Sequence, residues 1–293
     1  MAVFLWGASN TGTKYLVMEW PPIFVGSTRF AAAGLAMLAI MRWTNWLGKL
    51  TPLTPKLDKE LWLRGGLCLG VYIVVFNWAL RYTSASHVAL MLGASPVWAL
   101  VWEERPSLRW RSVQRYGAAG LAVAGVAVLF WPSLRSGTTR WLGELLALAA
   151  SLLWTTYSRQ SRALGARLSG VEVSAHVMWR AGVLLFPLAL VELMATRGVM
   201  LRPGLVWVQI YCAVGGGVAA YAFWNGALRY WRASQVLLFN NLVPLSTMAW
   251  AWVCLGEKVS PTFWAAMALI AGGVVLGQEG WEKVLGARFV PAE

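Results

Sequence analysis

The sequence predicts an all-α integral membrane protein. Its ten transmembrane helices form two five-helix, inverted-topology repeats around a central cavity. Three observations predict this. First, 58% of the 293 residues are hydrophobic and only 13% are charged, about half the charged share of a soluble domain. Second, ten apolar stretches each approach the roughly 20 residues that cross a bilayer as a helix. Third, a block of sequence recurs at a fixed offset that spans an odd number of those stretches.

In order, the stretches are Ala2–Met18, Pro22–Trp43, Leu61–Arg81, Ser84–Trp102, Val113–Trp131, Trp141–Tyr157, Glu172–Ala195, Gly204–Leu228, Ala233–Gly256 and Pro261–Gly280. Turn formers separate them: Pro21-Pro22, Thr51-Pro52 with Thr54-Pro55, Pro106, Pro132, Gly137, Pro203-Gly204 and Ser260-Pro261. Barrel strands are excluded, because the runs are long and lack period-2 alternation. The first stretch has no basic n-region and no small-x-small cleavage site, so it reads as a helix and not as a signal peptide.

Lysine and arginine placement orients the chain. With a cytoplasmic N-terminus, inside segments hold 16 basic residues and outside segments hold 7. Both termini are expected inside. The formal charge of +13 then faces anionic headgroups from short loops instead of forming the contiguous basic surface of a nucleic-acid binder. The expected organisation is a first repeat over 1–133, a short extracytoplasmic linker over 134–140, a second repeat over 141–282 and a cytoplasmic tail over 283–293.

The duplication is direct. Asn77, Ala79-Leu80-Arg81-Tyr82, Ala85-Ser86, Val88, Leu90 and Pro96 recur 148 positions later as Asn225, Ala227-Leu228-Arg229-Tyr230, Ala233-Ser234, Val236, Leu238 and Pro244. Arg29 echoes Arg180, and Leu5-Trp6 echoes Leu153-Trp154. Five helices separate the copies, so the halves must lie in the membrane with opposite orientation, as in many secondary carriers.

With the early Trp6 and Trp154, Arg29 and Arg180, the paired Ala-Leu-Arg-Tyr…Ala-Ser runs, Pro96 and Pro244, and Gly256-Glu257-Lys258, the chain resembles the drug/metabolite transporter superfamily. It is most similar to the EamA group of amino-acid and metabolite exporters, over nearly its whole length. The first repeat departs by lacking the Leu-Gly before Glu104, and the spacing from Pro96 to Glu104 is five residues shorter than that from Pro244 to Glu257, so the fourth helix is expected to be about five residues shorter than the ninth. The resemblance implies a ten-helix carrier with a central cavity. The abundance of aromatic residues is similar to that of exporters of aromatic amino acids.

Candidate site residues follow from depth and chemistry. Many of the 20 Trp residues fit the interfacial belt. Trp6, Trp98, Trp154 and Trp224 lie deeper, where indole faces suit apolar substrates and cation–π contact with an ammonium group. Polar groups at membrane depth are functional candidates: Asn10, Tyr72 with Phe76, Tyr157, Tyr221, Asn240 and Asn241. Pro96 and Pro244 interrupt hydrogen bonding near mid-helix and are candidate hinges. Arg29 and Arg180 either pair with a carboxylate such as Glu19 or Glu172, or meet a substrate carboxylate. His87, one of two histidines, is a candidate proton site.

Composition also excludes. Three cysteines make no disulfide scaffold. Two His and one Asp make no His/Asp metal cluster and argue against an enzyme; no cofactor is expected. The acids Glu19, Glu103, Glu104, Glu144, Glu172, Glu192, Glu257 and Glu279 fall at span ends, so no coupling carboxylate is expected at mid-depth. The sequence thus reads as an uncoupled inner-membrane exporter of bulky apolar or aromatic amino acids. Its partners are a small-molecule substrate and the bilayer, and its oligomeric state is unread. Two alternatives stay open: a proton-coupled drug or nucleoside/sugar-phosphate carrier, and a non-transporting membrane scaffold.

Overall fold

A computed structural model describes residues 1–95, 98, 99, 102, 110–135, 140–196, 198–224 and 242–277. Among the described residues every regular element is helical. We label them α1 (Ala2–Glu19), α2 (Pro22–Trp43), α3 (Pro55–Tyr82), α4 (Ala85–Gly93), α5 (Trp110–Arg135), α6 (Arg140–Leu164), α7 (Gly170–Ala195), α8 (Pro203–Trp224), α9 (Val243–Leu255) and α10 (Pro261–Gly277). Four of these, α2, α3, α7 and α8, are long and apolar enough to cross a membrane by length and composition; α9 and α10 are shorter apolar helices, and α5 carries an apolar stretch at Tyr116–Pro132.

Local chemistry sets the starts. Pro opens α2, α3 and α8 in the first turn, where its missing N–H costs nothing. The Thr54 hydroxyl accepts from Leu57 N, and Ser84 accepts from His87 N. Ser169 and Glu172 form a full capping box at α7, satisfying two orphan donors reciprocally. The helix α9 ends at Gly256 with φ of 65°, a left-handed position suited to glycine.

Several boundaries differ from expectation. Pro132 does not end the fifth helix: α5 runs through it to Arg135. The sixth helix continues past Tyr157 to Leu164. The third begins at Pro55 and not at Leu61, because Thr54 supplies a cap inside the stretch that reads as loop. Pro244 lies in the first turn of α9 instead of mid-helix. Pro96, Asn240, Asn241, the repeat copy at 225–238, most of the linker and the tail lie outside the described residues.

Each half packs mainly on the other. Among the described residues the most extensive pairs are α2 with α7, α5 with α10, α3 with α6, α3 with α7, and α1 with α9. Two are reciprocal. A Cβ on Gly34 of α2 would stand 2.4 Å from Trp179 N of α7, and one on Gly182 of α7 would stand 2.5 Å from Ala31 N of α2. Likewise a Cβ on Gly125 of α5 would lie 2.9 Å from Ala266 O, and one on Gly273 of α10 would lie 2.6 Å from Ala118 O. Backbone-to-backbone approach is how helices bind in lipid, where exclusion of water gives no drive. The glycines of each pair are 148 positions apart.

Candidate functional site

The helices enclose a cavity of about 420 Å³ in the middle of the bundle. Two aromatic walls face it. On one, Trp6 of α1 meets the Tyr221 ring at 5.5 Å and the Trp224 ring at 5.2 Å, both on α8. On the other, Tyr72 of α3 packs on Phe76 at 5.5 Å and on Trp154 of α6 at 5.1 Å, and Trp154 meets Tyr157 at 5.2 Å. Such offset and tilted ring pairs are favoured geometries.

Polar groups between the walls are few. Arg29 is 9% exposed and lines the cavity with Asn10, Ser158, Ser161 and Ser174. Its Nη1 donates to Thr13 Oγ1 at 2.6 Å, and its guanidinium lies 4.9 Å from the Phe30 ring. No carboxylate stands within ion-pair distance of Arg29 among the described residues. Among the described residues no acidic side chain lines the cavity. Asn10 Nδ2 donates to Thr247 Oγ1 of α9 at 3.2 Å.

Arg180, its echo in the second half, is placed differently. It is buried, ion-paired to Asp58, bonded to His176 and sandwiched near Trp62 and Trp179. The expected acidic partners Glu19 and Glu172 serve elsewhere: Glu19 lies 4.0 Å from Arg202, and Glu172 caps α7 and accepts from Thr51 N. The chain's one Asp therefore neutralises one of the two buried arginines, and among the described residues the cavity arginine has no carboxylate partner.

Of the expected site residues, Trp6, Asn10, Tyr72, Phe76, Trp154, Tyr157, Tyr221, Trp224, Arg29 and Pro244 meet in this cavity. Trp98 does not line it; its indole N–H donates to Ser151 Oγ at 3.0 Å between helices. His87 lies apart, beyond the cavity's end, with its Nδ1 2.6 Å from Glu144 Oε1.

The sequence reading missed two π-helical segments, Leu61–Gly66 in α3 and Cys212–Ala219 in α8. A π-turn widens the helix and loosens the carbonyl ladder, and such segments concentrate at functional sites. Here Gly216 O, in the α8 segment, accepts from Trp6 Nε1 at 3.1 Å. Gly216 and Gly217 form part of the cavity wall. A signal existed: Gly65-Gly66 and Gly216-Gly217 are 151 apart, the same spacing as Arg29 and Arg180.

Toward the end of the bundle where Glu19 lies, Thr83, Glu144, Ser86 and Glu257 make contacts between helices and none of them lines the cavity; we call this the closed end. The cavity lining extends from Phe76, Arg29 and Ala89 toward Ser161 and Ser174 at the opposite end, where Trp43 lies. An aromatic-walled cavity within membrane-length helices that pack half on half belongs to a membrane transporter, and comparison with known proteins agrees. The EamA-like transporter family model matches residues 1–131 and 141–277, and the chain belongs to that family.

Among its relatives are a protein of Streptantibioticus cattleyicolor named a probable terminal-alkyne amino-acid exporter (26% identity, covering 89% of this chain and 90% of that one). Another is a probable amino-acid metabolite efflux pump of Salmonella typhimurium (24% identity, 98% and 96%). A crystal structure of a protein with 18% identity superposes with a TM-score of 0.61 over 97% of this chain and 96% of that one, which is a likeness of fold.

Proposed function

We propose that this chain exports amino acids with bulky apolar or aromatic side chains across a bacterial inner membrane, both termini cytoplasmic. It would work by alternating access between two inverted halves and without ion coupling. The observation that carries this reading is Arg29 between two aromatic walls, with no carboxylate partner among the described residues. A buried cation without a counter-charge is costly, and a substrate carboxylate supplies that charge. The rings on either side then receive the side chain, and their faces attract the α-ammonium group. The relatives named for amino-acid export support the same substrate class.

The reciprocal glycines at a spacing of 148 support an inverted repeat, since a contact in which i meets j and j meets i is the mark of a two-fold axis. A phosphate-bearing substrate fits less well. It calls for several cations, and Arg29 is the lysine or arginine among the lining residues. Among the described lining residues none is acidic, which supports facilitated movement down a gradient.

Counterflow of labelled amino acids into proteoliposomes tests the reading, with Phe, Trp and Leu expected to exchange and sugar phosphates not. Exchange of no amino acid overturns the substrate class. Accumulation driven by an imposed pH gradient alone overturns the uncoupled mechanism.

A further inference from the structure

At the closed end, Glu144 near the start of α6 is fully buried. Its Oε1 accepts from Thr83 Oγ1 at 2.7 Å and lies 2.6 Å from His87 Nδ1 at the start of α4. Its Oε2 is buried with no partner. The His87 side chain is 12% exposed, and its ring stacks on Phe263 of α10 at 5.9 Å.

Of the other charges at this end, Lys14, Arg81 and Glu257 are engaged elsewhere, and Arg140 alone also faces Glu144. Lys14 of α1 donates to Leu80 O at 2.6 Å and Thr83 O at 2.9 Å. Arg81 of α3 donates to Val17 O. Glu257, after α9, accepts from Ala85 N, Ser86 N and Ser86 Oγ at the head of α4. Arg140 of α6, about half exposed, stands 3.9 Å from Glu144. Among the described residues, α10 presents no charged group there.

We propose that His87 and Glu144 form a proton-binding latch: closure of this end takes up one proton from the water on that side, and opening returns it. Burying a carboxylate costs several kcal/mol; Thr83 contributes only a neutral hydrogen bond, and Arg140, at 3.9 Å and about half exposed, offsets little of the cost because water screens it. One proton on the imidazole converts the contact into an imidazolium–carboxylate pair of zero net charge, which can be sealed off from water. When the end opens, water solvates both groups, the pair separates, and the imidazole N–H proton leaves to that water. The closed state thus holds one proton more than the open state. Closure is favoured at low pH and weakens as pH rises, by at most about tenfold per pH unit for one proton. The proton returns to the side it came from, so it gates the carrier without driving accumulation.

This latch rests on the alternating-access reading but needs no substrate to be observed. Spin labels are placed at Met18 of α1 and Trp141 of α6, both exposed and in different halves, in a full-length chain with its cysteines replaced and held in lipid nanodiscs. Distances are then read by pulsed electron resonance at about pH 6 and about pH 8, where histidine titrates. The longer-distance population is expected to grow at the higher pH. In His87→Gln it is expected to be pH-independent and already present at low pH, since the buried carboxylate stays uncompensated; in Glu144→Gln, which removes the charge to be buried, it is expected to be pH-independent and small at both pH values. His87→Gln keeps a donor toward Glu144, so it carries the test if Glu144→Gln fails to fold. Distances that ignore pH in the unsubstituted chain, a response of opposite sign, or a full pH response surviving in His87→Gln each overturn the latch. Absence of amino-acid counterflow alongside pH-dependent distances overturns the substrate reading and leaves the latch standing.

Discussion

Arg29 holds the site's positive charge, and its surroundings decide how it acts. Thr13 fixes one amino group at 2.6 Å, which leaves the rest of the guanidinium fork for a carboxylate. A charge-assisted hydrogen bond contributes about 1.5–3 kcal/mol. Arg29→Gln is therefore expected to raise the KM for amino-acid counterflow by about ten- to a hundred-fold, while Arg29→Lys recovers part of the loss because it keeps charge but not the fork. A substrate-concentration series in proteoliposomes reads both. The two tryptophans separate in the same assay. Trp154→Ala removes a wall ring and is expected to weaken Phe and Trp more than Leu. Trp98→Phe loses only the bond to Ser151; it should leave KM unchanged and lower the thermal midpoint, since such a bond contributes about 0.5–1.5 kcal/mol. At this scale the ring residues were legible, because depth along an apolar run and indole chemistry restrict their roles. The difference between Trp98 and Trp154 was not, since both read as deep tryptophans and only packing shows which one faces space. Glu144 does lie at a span end, near the start of α6, but its burial was not legible: the Tyr82–Thr83 turn packs directly over it, and a Cβ on Gly143 would lie 2.7 Å from Thr83 N.

At the scale of elements, the α2–α7 and α5–α10 contacts depend on missing side chains. Adding one methyl to Gly34 or Gly182 forces two backbones apart, because the nearest atoms are main-chain and cannot rotate away. Overpacking of this kind costs about 1–3 kcal/mol. Gly34→Ala and Gly182→Ala are expected to lower the melting temperature in detergent. Gly120→Ala, with nothing within 4 Å of its added carbon, should hold or raise it, since alanine is the better helix former by up to about 1 kcal/mol. Equal effects at Gly34 and Gly120 would show that propensity and not contact dominates. The spans themselves were legible from composition, because each helix must satisfy its own backbone in lipid. Breaks within them were less so. Pro132 reads as a terminator, yet α5 continues through it. The π-segments carry no single-residue signature, and their glycine pairs stand out only when the two halves are aligned at 151.

For the whole molecule, the closed end is a joint between halves. Thr83 and His87 from the first half hold Glu144 of the second, and Glu257 of the second caps α4 of the first. Alternating access requires every one of these contacts to part, whereas the α2–α7 crossing, with Ser27 Oγ donating to Gly182 O at 2.7 Å, can serve as the pivot about which the halves turn. A covalent tie across the joint separates binding from transport. Ser86 Oγ and Glu257 Oε2 are 2.9 Å apart, so cysteines at both positions lie within reach of a short, cleavable bifunctional thiol reagent in a chain lacking its own three cysteines. The cross-linked protein is expected to lose counterflow while its thermal midpoint still rises with added substrate, because the cavity lining extends toward the Trp43 end, which the tie does not touch. Ligand binding that favours the folded state raises stability as RT ln(1 + [L]/Kd), so the shift is a measure of an intact site. Cleaving the reagent should restore exchange. Undiminished counterflow with the tie in place would mean that this joint never opens during the cycle; loss of both counterflow and the thermal shift would mean that the tie distorts the cavity itself.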